Sequence, residues 1–372
     1  MAAPDGYSSL SQLTALRFVA AFAVLLSHLD FIGDGPERGS GWLYETLLRQ
    51  GYCGVSFFYI LSGFILSHAY GDRLKRGSID LRSYMILRIC RIAPLHWFMA
   101  LLFVGWLALA GEMPGLGTIL LNLGLMHAWA PDPNVHYALN GPSWSLSDEL
   151  TFYAAFPWLC RMRTRSLALY LAGGLILITA SAAISIRQGG YSATAEWFFY
   201  VFPPVRLIDF IAGMLLYRAY RKGHGSALAG TGAEIMVVMT VFTAMIGFSL
   251  MALPMPLRWQ LAYLPIMAAA VLIFAYGRGA LSRALHHRWM ILLGKGSFAL
   301  YLTHRPIITL THRLWGSDST HQLSMSLSLP PLCVAVSLLV YLLLERPLLD
   351  RLRHGLWAHD RGMGGVKAWR PS

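Results

Sequence analysis

Ten runs of mostly apolar residues, each about as long as a membrane-crossing helix, divide this 372-residue chain. They fall at about 13–31, 52–70, 84–110, 144–160, 166–186, 197–217, 233–253, 259–276, 296–314 and 328–345. No water reaches a backbone inside hydrocarbon, so its amides and carbonyls must pair within the segment, and a run of roughly 20 residues does so as an α-helix. The expected fold is therefore all-α, a polytopic transmembrane helical bundle of about ten spans. A further run, TILLNLGLMHAW at 118–129, is too short for an ordinary span and is expected to be re-entrant or interfacial.

Composition points the same way. Hydrophobic residues make up 56% of the chain and charged residues only 13%, where a soluble domain carries about 25% charged residues. The net charge of +12 suggests a nucleic-acid partner only until the basic residues are located. They lie in short loops between apolar runs, so membrane topology accounts for them and no nucleic acid is expected. With a cytoplasmic N-terminus, segments assigned inside hold 22 of the 30 Lys and Arg and those assigned outside hold 6. Arg17 and Arg206 lie within spans. This asymmetry puts both termini in the cytoplasm. Two parts follow, a transmembrane domain over 1–345 and a basic cytoplasmic tail over 346–372. Cys53, Cys90, Cys160 and Cys333 form no CxxC pair, so neither a disulfide framework nor a metal site is expected. The start, MAAPDGYSSLSQ, has no basic n-region, and the first run is expected to stay as a helix.

Polar residues inside the spans carry the functional signal, because an ionisable group in hydrocarbon is costly. In LTALRFVAAFAVLLSHLD, residues 13–30, Arg17 and His28 are eleven apart. On a helix that places them on one face, separated by about 16 Å. The plain alternative is a snorkelling arginine and a histidine with one bundle hydrogen bond. In YMILRICRIAP, Arg88 and Arg91 lie close on a helix surface at the cytoplasmic entrance of the third span. Two guanidinium forks there suit phosphate, or serve only as positive-inside anchors. NGPSWSLSDELTFY starts a span at Trp144 from the external side, which puts Asp148 and Glu149 near the expected depth of His28. Glu149 would then orient the ring, or both acids would simply complement a helix N-terminus. Arg206 and Asp209, three apart in PPVRLIDFIAGM, are spaced for an ion pair within the bundle. Glu345 in LERPL reads as structural, and His304 in GKGSFALYLTHRPI is a second imidazole near the external end.

Together these stretches resemble the acyltransferase type 3 family of bacterial integral membrane proteins. The resemblance covers most of the chain. It rests on LTALRFVAAFAVLLSHL, GVSFFYILSGFIL, RICRIAP, PSWSLSDELTFY, FPPVRLIDFIAGM, SFALYLTHRPI and LLERPL, in the family's order. It departs from the family at Ser56, where an acidic residue is common, at Asp209, where Glu is common, and at Thr303, where an aromatic is common.

The resemblance implies transfer of an acyl group, usually acetyl from acetyl-CoA as co-substrate, to a hydroxyl of a surface polysaccharide or glycolipid. It implies essential roles for Arg17 and His28, donor-side roles for Arg88 and Arg91, and matches at Trp144, Glu149 and Arg206. The expected assignment is therefore His28 and Glu149 as catalytic, Arg17, Arg88 and Arg91 as donor-binding, and Trp144, Arg206 and His304 as substrate-binding, with no metal. His28 would act as general base, or would itself carry the acyl group. The expected partners are the bilayer, a glycan or polyprenyl-linked oligosaccharide acceptor and polysaccharide assembly machinery, with the enzyme in the bacterial inner membrane. Larger relatives add an external hydrolase-like domain, so this chain is expected to act alone or with a separate partner. The rival reading is a transporter or flippase for an anionic or lipid-linked substrate. It also needs buried charge, but the inverted repeat common in transporters is not detected.

Overall fold

The computed structural model describes residues 10–30, 38–315 and 319–351, and among these all regular structure is helical. The main helices are α1 Ser11–Ser27, α2 Gly54–Leu66, α3 Leu81–Ala110, α4 Leu116–Leu123, α5 Trp144–Leu159 and α6 Thr164–Arg187. They continue with α7 Pro203–Arg221, α8 Thr231–Leu250, α9 Leu264–Tyr276, α10 Arg288–Trp315 and α11 Ser319–Val340. A π-helical turn, Tyr341–Glu345, prolongs α11. Each of the ten apolar runs has a helix, and α4 is the short run, only about 12 Å long. The tail expected beyond the last span lies outside the described residues from 352 onwards.

Among the described residues, six helical segments are long and apolar enough to cross a membrane, including Leu81–Ala110, Thr164–Arg187 and Thr231–Leu250. Their outer faces carry exposed Leu101, Leu109, Leu169, Ile176 and Met236, an apolar surface for which lipid is the natural solvent. Of the ten run-matching helices, α1, α5, α9 and α10 are shorter or interrupted by polar residues. Three of these four, α1, α5 and α10, build the site described below.

Local chemistry sets the helix ends. Asp80 caps α3 by accepting from the Ser83 amide at 3.1 Å, and Gly111 ends it in the left-handed region at φ 73°. The bundle is drawn together by small residues. α2 and α7 run parallel, since Arg206 donates to Ser56 at one end and Arg221 pairs with Asp72 at the other. They cross where Gly63 meets the Phe210 carbonyl and Gly213 meets that of Ile60, and a Cβ at either glycine would collide with backbone. α1 packs on α10 in the same way, with Gly294 against the Thr14 carbonyl. α1 and α10 are parallel, because Thr14 adjoins Gly294 at one end and His28 adjoins His304 at the other.

Candidate active site

A cavity of about 780 Å³ opens at the Thr14 end of α1. Its wall carries five cations, Arg17, Arg91, Arg288, Lys295 and Arg346, against two anions, Glu345 and Asp350. Arg91 donates to the buried Glu345 and lies over the Phe298 ring at 4.8 Å, and Arg346 is 3.9 Å from Asp350. Arg17, Arg288 and Lys295 have no hydrogen bond or ion pair with any described residue. Arg288 and Lys295 are exposed, and Arg288 lies over the Trp289 ring at 5.1 Å. Arg17 is partly buried, where a guanidinium without a partner is costly, so the wall they share is suited to an anion.

Arg17 also lines a smaller cavity above the first, of about 30 Å³, together with Glu149, Ser145, Ser297, Tyr59 and Tyr301. Glu149 accepts from the Tyr153 hydroxyl at 2.6 Å, and its charge acts on Arg17 and Arg91. The expectation that Glu149 sits at the depth of His28 and orients its ring is therefore corrected. α5 presents Glu149 to the arginine end of α1, and the groups facing His28 are His304, Arg305 and Asp30.

Tyr301 closes the smaller cavity and lies 6.1 Å, ring to ring, from His304. His304 is fully buried, with its Nε2 3.4 Å from Nδ1 of the half-buried His28. The tautomers follow from the backbone. His28 Nδ1 is 2.8 Å from the Val24 carbonyl and His304 Nδ1 is 3.0 Å from that of Leu300. A carbonyl only accepts, so each Nδ1 carries the proton and each Nε2 keeps its lone pair. His304 spends its lone pair on His28, and among the described residues none hydrogen-bonds the Nε2 of His28, which is left to act as a base. Arg305 donates to the His28 carbonyl at 3.4 Å and so ties α10 to the end of α1.

The remaining expected site residues lie elsewhere. Arg88 donates to the Tyr70 hydroxyl at 2.7 Å and lies between the Tyr70 and Tyr153 rings, outside the wall that Arg91 joins. Arg206 is fully buried, pairs with Asp209 at 3.0 Å and donates to Ser56 at 2.9 Å, and it lines neither cavity. The Ser56 that departs from the family pattern is thus a neutral partner for Arg206. Trp144 is buried against Tyr200 at 4.9 Å. Three cations of the cavity wall, Arg288, Lys295 and Arg346, escaped the sequence reading because a loop charge near a span end is already explained by topology.

The profile of a family described as an acyltransferase domain matches residues 10–346. The chain belongs to the acyltransferase type 3 family. It is therefore an enzyme, an acyltransferase, and with its apolar helices a multi-pass membrane protein. This acyltransferase is 30% identical over 341 residues to the acyltransferase MdmB of Streptomyces mycarofaciens, covering 85% of this chain and 83% of that one. It is 27% identical to the exopolysaccharide production protein ExoZ of Rhizobium meliloti, covering 82% of this chain and 91% of that one. It is 24% identical to the peptidoglycan O-acetyltransferase OatA of Listeria monocytogenes, over 80% of this chain but 49% of that one. No solved structure matches the chain.

Proposed function

We propose that this acyltransferase is a membrane O-acyltransferase moving acetyl from acetyl-CoA to a sugar hydroxyl of an exopolysaccharide, another surface glycan or its lipid-linked precursor. The observation that carries this reading is the line from the Arg17, Arg288 and Lys295 wall, through the Arg17–Glu149–Tyr301 cavity, to the histidine pair. A polyphosphate head matches the cationic wall, because charge-assisted contacts from arginine to phosphate are strong and forked. A pantetheine arm is long enough to follow α1 over the roughly 16 Å from Arg17 to His28. The narrowness of the smaller cavity favours a small acyl group such as acetyl.

In this account the acceptor hydroxyl attacks the thioester carbonyl while His28 Nε2 takes its proton. The tetrahedral intermediate collapses, the carbon–sulfur bond breaks, and the departing thiolate recovers the proton to give coenzyme A. Glu149, held by the Tyr153 hydroxyl, lines the smaller cavity beside Arg17 and places a negative charge near its guanidinium. The glycan acceptor draws support from the relatives named for exopolysaccharide production and for peptidoglycan O-acetylation. The same reading takes ten spans with both termini cytoplasmic, in the bacterial inner membrane beside polysaccharide assembly machinery, with the cationic cavity open to the cytoplasm.

The test is the acyl content of the host's surface glycans by mass spectrometry, in a deletion strain complemented with wild type or with His28→Ala at matched membrane expression. Acetyl groups lost on deletion and restored only by wild type are the expected outcome. Full restoration by His28→Ala would take His28 out of the chemistry. Loss of polymer export with normal acylation would point to transport.

A further inference from the structure

A separate recess of about 260 Å³ shares Arg91, Glu345 and Leu349 with the cationic cavity. It opens sideways between α3 and the helical turn after α11. Phe98, Leu343, Leu344 and Leu348 flank it and are 42%, 70%, 41% and 40% exposed. On a bundle whose outer surface is apolar, such an opening faces lipid chains and not water.

Its polar end is cationic. Arg91 forms the inner wall and Arg351, exposed, forms the rim, with Glu345 as the one carboxylate among them. The Arg91–Glu345 pair is also half made. Arg91 donates to Oε1, while Oε2 is buried without a hydrogen-bond partner. A guanidinium fork would ordinarily satisfy both oxygens. Arg91 is thus turned partly away from its carboxylate, at the junction of the two cavities.

We propose that this recess binds an anionic phospholipid from the leaflet level with the cationic cavity. One acyl chain lies in the apolar cleft, and the phosphodiester sits between Arg91 and Arg351. A net charge of one positive unit on the three groups complements one phosphodiester. A zwitterionic lipid brings the same phosphate with an ammonium group that the two arginines repel. Occupancy holds Arg91 away from Glu345 and so sets how that guanidinium faces the donor cavity. This last consequence rests on the proposed donor reading; the binding itself does not.

The test uses the full chain in nanodiscs of phosphatidylcholine with a minor fraction of phosphatidylglycerol, and counts retained lipid by native mass spectrometry. Wild type is expected to retain phosphatidylglycerol severalfold over its bulk fraction. Leu344→Trp, which fills the cleft, and Arg351→Glu, a surface change that spares the fold, should each lower that enrichment severalfold. Equal retention of both lipids, or enrichment unchanged in both variants, would overturn the site. Displacement of phosphatidylglycerol by palmitoyl-CoA but not by acetyl-CoA would overturn it too, by assigning the cleft to a donor chain. Retention is read without turnover, so a failure of the donor reading leaves this result intact. A donor KM raised by Arg91→Ala alongside no lipid preference would remove the lipid site alone.

Discussion

At the scale of single residues, the account turns on a division of labour between two histidines. His28 has an Nε2 that no described residue hydrogen-bonds, while His304 spends its own lone pair holding the ring. Removing a general base costs about 10²–10⁴-fold in turnover, so His28→Ala should lower kcat by that range with the donor KM little changed. His304→Gln retains a polar group toward His28 and should recover part of the kcat that His304→Ala loses. A merely structural His304 would instead show both variants failing together in thermal stability. Arg17 and His28 were legible in the sequence, because eleven residues of helix fix one face and one separation. Glu149 was not. Depth along a span does not say which neighbour a helix face meets, and α5 turns Glu149 toward Arg17. Arg88 and Arg91 were read as one pair, yet the same helix gives one to Tyr70 and the other to Glu345. Arg91→Ala should therefore raise the donor KM, and Arg88→Gln should leave it unchanged, in steady-state assays of purified enzyme.

At the scale of elements, the site depends on helices that approach more closely than ordinary side chains permit. Leucine at Gly213 would drive α7 off the Ile60 carbonyl of α2. Overpacking of this kind typically costs about 1–3 kcal/mol, and Gly213→Leu should lower the melting temperature in detergent. Arg206→Ala should cost more, about 3–5 kcal/mol, because it strands the fully buried Asp209. A Gly213→Leu protein melting like wild type would show that the close crossing is not needed. The apolar runs predicted where helices lie, since hydrophobic length is a local property. They did not predict that α10 begins at Arg288, well before residue 296. Its first two turns are a short apolar stretch bounded by Arg288 and Lys295, and they supply both cations to the cavity wall.

At the scale of the whole molecule, one parallel pair, α1 and α10, joins two chemically different ends. One end presents a cationic wall and the other a histidine whose Nε2 no described residue hydrogen-bonds. The orientation proposed for the bundle predicts that a cysteine placed at Arg288 is labelled by an impermeant maleimide only after the cytoplasmic side is opened. Labelling in intact cells would invert the bundle. The central claim is that the cationic wall reads the phosphates of the acyl donor. Its most direct test compares kcat/KM for acetyl-CoA and for acetyl-pantetheine, which lacks the nucleotide phosphates, in wild type and in Arg288→Gln/Lys295→Gln. Hydrogen bonds to charged groups contribute about 1.5–3 kcal/mol each, so wild type should prefer acetyl-CoA by at least about tenfold per contact. The double variant should lose most of that preference while its rate with acetyl-pantetheine stays near wild type. An equal preference for acetyl-CoA in both proteins would contradict the account.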